Sequence, residues 1–153
     1  MKIAIVSNNY ISENIDSLRQ ALVKKYANLD IRLFKCDSNE DIYISLSAYA
    51  PNILVTENLA GFHMETLSGS IAYNLLHSRQ LHFLFDEASF SNINARILER
   101  PLSLSMRFIC ITEHIKNSLL SINPDVPYFD VLTDSSPSVY EISEVLCSVI
   151  DSL

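Results

Sequence analysis

The chain has 153 residues, 48% of them apolar and 19% charged, which is enough buriable surface for one sizeable core and too little charge for a disordered chain. Eleven Lys and Arg against eighteen Asp and Glu leave a net charge of −7, so counter-ion-driven binding to nucleic acid or anionic lipid is not expected. Residues 101–153 carry only Arg107 and Lys116 against seven acids, and an acidic face is expected there.

The apolar run Ile3 to Val6 predicts a buried strand and is too short for a signal or a membrane span, so the chain is expected to begin at Met1 without a leader. Ile15, Leu18, Leu22 and Tyr26 then recur at helical spacing behind Ser12, the expected N-cap. Ile31 to Phe34 alternates like a strand, and Ser38 with Asp41 forms a capping-box signature before Ile42, Leu46 and Tyr49. Pro51 closes that helix.

Asn52 to Thr56 reads as a third strand, followed by a loop from Glu57 to Leu67. A helix with Ile71, Ala72, Leu75 and Leu76 on one face comes next. Leu81 to Phe85 is a fourth strand and Asn92 to Arg100 a short helix stopped by Pro101. Phe108 to Ile111 is a fifth strand, leading into Ile115, Leu119 and Ile122. Tyr128 to Leu132 is a candidate sixth. The closing helix starts at Ser136-Pro137 and carries Val139, Ile142, Val145, Leu146, Val149 and Ile150 in one stripe. Tyr128, Phe129, Val131 and Tyr140 are expected in the core, with a partner-contact surface the other reading.

Near-continuous apolar strands alternating with amphipathic helices describe one α/β domain over residues 1–153. Its expected architecture is a three-layer sandwich with a mostly parallel, five- or six-stranded, flavodoxin- or Rossmann-like sheet. There is no repeat, low-complexity tract or linker. Ligands of such sheets lie outside the carboxyl ends of the strands, where strand order reverses. Residues at those ends are Ser7, Asn8 and Asn9, then Cys36 and Asp37, then Thr56, Glu57 and Asn58, then Asp86 and Glu87, then Thr112, Glu113 and His114. Many of these are also favoured turn formers and helix caps.

From this edge come the candidate ligand-binding residues Asn8, Asn9, Thr56, Glu57 and Asp86. Glu57, Asp86 and Glu87 are the only candidate Mg²⁺ cluster, and otherwise no cofactor is expected. Ser68, Gly69 and Ser70 open a predicted helix whose free N–H groups could receive a phosphate or carboxylate. Gly61 and Gly69 are the only glycines, which excludes a GxGxxG dinucleotide loop and a Walker-type phosphate loop. No HExxH or GxSxG is present. His82, within a strand, reads as structural. Cys36, Cys110 and Cys147 form no CxxC pair, so neither a disulfide framework nor a zinc knuckle is indicated, and a reducing cytoplasm fits best.

Lys2-Ile3-Ala4-Ile5-Val6-Ser7-Asn8-Asn9 and Pro51-Asn52-Ile53-Leu54-Val55-Thr56-Glu57-Asn58-Leu59-Ala60-Gly61-Phe62 resemble the first strand and the phosphoacceptor strand of response-regulator receiver domains. The likeness runs over residues 1–64. It implies a flavodoxin-like fold and a regulatory role. Asn8 and Asn9 stand where receivers have metal-binding acids, and Thr56 where they have the phosphoacceptor aspartate, so aspartyl phosphorylation is not expected. Asp86-Glu87-Ala88 and Phe108-Ile109-Cys110-Ile111-Thr112 also depart from the receiver pattern. Met106 to Lys116 is similar to the last strand-and-helix step in the N-terminal half of GT-B glycosyltransferases. Those enzymes hold their nucleotide sugar mainly through a C-terminal half that this chain is too short to contain.

The leading expectation is a non-catalytic regulatory or binding domain whose partner is a protein or a small anionic ligand, with neither nucleic acid nor membrane involved and a homodimer as the candidate assembly. The alternative is a small enzyme or enzyme subunit binding a phosphorylated or nucleotide-linked metabolite at the carboxyl edge of the sheet.

Overall fold

The structure is a computed structural model that describes residues 1–35, 42–58, 78–86, 106–122, 124–125, 129–132 and 137–153. Six strands are seen: β1 (Lys2–Val6), β2 (Asp30–Phe34), β3 (Ile53–Glu57), β4 (Arg79–Leu84), β5 (Met106–Cys110) and β6 (Phe129–Val131). The described helices are α1 (Tyr10–Glu13), α2 (Ile15–Lys25), α3 (Ile42–Tyr49), α4 (Glu113–Ile122) and α5 (Val139–Ile150). None is long and apolar enough to cross a membrane. The strands form one sheet in the order β2-β1-β3-β4-β5-β6, and every pairing is parallel. The sheet is thus wholly parallel and six-stranded, at the upper end of the expectation.

A strand's side chains alternate between faces, and parallel register aligns the alternation across the sheet. Ile3 pairs with Ile31 and Ile53, and Ile53 with Arg79. On this face Ile3, Ile5, Ile31, Ile53, Val55, Leu81, Phe83 and Ile109 form one buried cluster with Leu18 and Leu22 of α2 and Ile142, Leu146 and Ile150 of α5. The opposite face carries Ala4, Val6, Leu54, Leu84, Phe108 and Cys110, all buried. Apolar residues on both faces are what a sheet covered on both sides requires. Among them sit Thr56, Gln80 and His82, which are buried too.

The first helical segment departs from its expected form. Asn14 separates α1 from α2, and Ser12 lies inside α1, where its hydroxyl donates to the Asn9 carbonyl at 2.7 Å instead of capping α2. At the other end of the chain the cap of α5 is Ser138, not Ser136, which lies outside the described residues. The Ser138 hydroxyl accepts from the Glu141 N–H at 3.2 Å while Glu141 accepts from the Ser138 N–H at 2.6 Å, a full capping box. These bonds hold the Glu141 carboxyl below the usual carboxylate range. Ser138→Ala should cost about 1 kcal/mol of unfolding free energy in urea titrations, and a change within error would refute this role. Tyr140, expected in the core, is 69% exposed, because it lies on the side of α5 away from the Ile142–Leu146 stripe.

The edge strand β2 is blunted by α2. The Arg19 guanidinium donates to the outward Ile31 carbonyl at 3.2 Å, which removes an acceptor that another strand would need. The Ser38–Asp41 capping box and the predicted helices at residues 71–76 and 92–100 lie outside the described residues.

Candidate functional site

β1 is followed by a connection to β2 on one side of it, whereas β3 leads on to β4 on the other. The crevice between the carboxyl ends of β1 and β3 is therefore the switch point at which such sheets bind ligands. Here it is filled from within. Glu57, the last residue of β3, is 3% exposed. Its Oε2 accepts from the Ser7 hydroxyl at 2.6 Å and the Ile11 N–H at 2.9 Å, and its Oε1 from the Tyr10 N–H at 3.0 Å. Ser7 Oγ in turn accepts from the Ser12 N–H at 2.9 Å. The free amides of the first turn of α1, which in other sheets of this kind face a ligand, are thus satisfied by a carboxylate and a hydroxyl belonging to the chain.

Asn58 extends the same closure toward β4. It adopts a left-handed backbone with φ 52°, a conformation asparagine tolerates better than most residues. Its N–H donates to the Phe83 carbonyl at 2.7 Å, and its Oδ1 accepts from the N–H groups of Phe85 at 2.7 Å and Asp86 at 3.1 Å. Phe85 then packs on Tyr10, with ring centroids 5.6 Å apart. Three strand ends are tied together across the crevice.

The sequence-derived candidates separate. Asn8, Asn9 and Asp86 are exposed at the carboxyl edge. Glu57 is at that edge but committed to the cap. Thr56 points to the opposite face and is fully buried, with its Oγ1 2.8 Å from His82 Nδ1. It is therefore part of the core and does not line the edge. Ser68, Gly69 and Ser70 lie outside the described residues, as do Glu87 and Cys36. No group of three or more His, Cys, Asp or Glu that could hold a metal ion occurs among the described residues, so the proposed carboxylate cluster for Mg²⁺ receives no support there. Thr112 behaves as a turn former, its Oγ1 accepting from the Ile115 N–H at 3.2 Å at the start of α4.

His82 is structural, as its strand position implies. Its Nε2 lies 3.2 Å from Gln80 Oε1. Because that oxygen can only accept, the network places the proton on Nε2 and leaves Nδ1 to accept from the Thr56 hydroxyl. Burial pushes its pKa down to about 3.

Two hollows lined by described residues lie apart from the crevice between β1 and β3. One, of about 640 Å³, lies at the amino ends of the strands against Met1, Pro51, Asn52, Ser78, Arg79 and Leu153. The other, of about 420 Å³, runs between β2 and α3 and is lined by Lys2, Arg32, Phe34, Ser45, Ala48 and Tyr49. The sequence signal for the second was the alternation of β2 itself, which sends Arg32 and Phe34 to the face opposite Ile31 and Leu33.

A doubly wound parallel sheet that adds a sixth strand to the 2-1-3-4-5 order defines the class, a flavodoxin- or Rossmann-like α/β domain. Beyond that class, no family model, curated protein or solved structure matches the chain.

Proposed function

We propose that the chain is a non-catalytic regulatory or binding domain, receiver-like in its first half and working without aspartyl phosphorylation. The observation that carries this reading is the filled switch point: the Glu57 carboxylate accepts from two amides of α1 and from the Ser7 hydroxyl and is withdrawn from solvent. At the position corresponding to the receiver's phosphoacceptor stands Thr56, buried and bonded to His82. Its partner is a protein surface or a small anion. Cys110 and Cys147 are buried free thiols, and burial raises the Cys110 pKa to about 11; the compartment that goes with this reading is a reducing cytoplasm.

The alternative, an enzyme of phosphorylated or nucleotide-linked metabolites, would require Glu57 to release those hydrogen bonds or Asp86 to act without it. Incubation with acetyl phosphate and Mg²⁺, followed by intact-mass analysis, should leave the chain unmodified. A gain of one phosphoryl group overturns the reading. So does turnover of a sugar phosphate or nucleotide sugar that is lost in Asp86→Asn.

A further inference from the structure

We propose that the groove between β2 and α3 binds a small organic anion, a carboxylate or phosphate carried on an apolar body. The site lies on the flank of the sheet, apart from the crevice between β1 and β3, and does not depend on the receiver-like reading.

Its construction starts with the alternation of β2. Phe34 reaches the ring of Tyr49, the last residue of α3, with centroids 5.7 Å apart. The Tyr49 ring is fixed from its far end, since its hydroxyl donates to the Asp30 carbonyl at 2.7 Å. Two cations flank that ring: the Arg32 Cζ lies 4.6 Å from its centroid and the Lys2 Nζ 5.3 Å. Tyr49 is itself buried beneath these groups, so an apolar body would meet the half-buried Phe34 ring, and the cations held beside it are pre-positioned for an anionic head. The groove, about 420 Å³, falls within the size range of small-molecule sites.

The charge balance favours a single negative charge. Arg32 meets one carboxylate, Asp30, through Nε at 3.8 Å, and its side chain is 61% exposed. Its two Nη groups make no hydrogen bond among the described residues, so the guanidinium fork that matches carboxylate and phosphate geometry is available. Lys2 uses one of its three donors on the Tyr49 carbonyl at 3.0 Å. Among the described residues, two cations thus face one acid.

In the hollow at the amino ends of the strands, by contrast, the guanidinium is engaged: Arg79 donates to Ser152 Oγ at 2.8 Å.

The test is an amide-resolved NMR titration of the full chain with phenyl phosphate, benzoate and inorganic phosphate. Phenyl phosphate or benzoate should shift the amides of Arg32, Phe34, Ser45 and Ala48, and the tighter of the two identifies the head group. Arg32→Gln should weaken that binding by about tenfold while leaving the rest of the spectrum in place. Lys2→Gln supplies the same test from the other side of the ring if Arg32→Gln fails to fold. Shifts confined to other surfaces, none at all, equal affinity in the folded variants, or inorganic phosphate binding as tightly as phenyl phosphate would each overturn the proposal.

Discussion

Replacing Glu57 by alanine is expected to lower the unfolding free energy by roughly 3–5 kcal/mol, because a buried acceptor of three hydrogen bonds is removed and the donors left behind are enclosed with it. The donors are the Ser7 hydroxyl and the N–H groups of Tyr10 and Ile11, and Ile11 is itself 1% exposed. Glu57→Gln should recover only part of the loss, since its amide turns a donor toward donors. Urea unfolding of the three proteins reads both effects. A loss under about 1 kcal/mol in Glu57→Ala would mean that the carboxylate is not the cap described, and would return it to the set of groups free to act on a ligand.

Acidification is expected to destabilise the fold through His82. In the folded chain this imidazole is fully enclosed, and its pKa is about 3. In the unfolded chain it returns to its ordinary value near 6.5. Above that value both states are neutral there and the group contributes nothing. As pH falls from about 6.5 toward 3 the unfolded chain takes up a proton that the folded chain refuses, so stability drops by up to about 1.4 kcal/mol per pH unit, on the order of 4 kcal/mol across the window. Unfolding curves at successive pH values should show this slope in the native chain and lose that part of it in His82→Leu. Nitrogen NMR of the imidazole supplies the same answer without a variant, a neutral ring at pH 5 being the expected signal. Parallel slopes, or a charged ring at that pH, would overturn the assignment.

These two residues also mark how far the sequence could be read. The strands were legible because runs such as Ile3 to Val6 and Ile53 to Val55 can only be buried, and the closing helix because its stripe is unbroken. The cap of α1 was not, because Glu57 reaches it from another strand and no local pattern links residues 10 and 57. A trace did exist: an acid directly ending an apolar strand has to be satisfied by something. At α5 the sequence contained Ser138-Val139-Tyr140-Glu141, a literal capping box, and the neighbouring Ser136-Pro137 obscured it. Thr56 was misplaced for a different reason. Reading one residue past a strand assumes a known strand end, and β3 runs on through Glu57, which turns Thr56 from an edge residue into a core one. The groove on Tyr49 depends on a helix and a strand meeting across the sheet, and only the register reveals it.

Because every pairing in the sheet is parallel, no two strands can be joined by a simple hairpin, and each addition must wait for a long crossover. The same holds for the face that unites β1, α2 and α5, where Leu18 and Leu22 meet Ile142, Leu146 and Ile150. During synthesis the early strands and α2 leave the ribosome with that surface bare, and it is covered only when the last helix emerges. That face is therefore completed late, once α5 has been made, and non-local pairings of this kind form slowly.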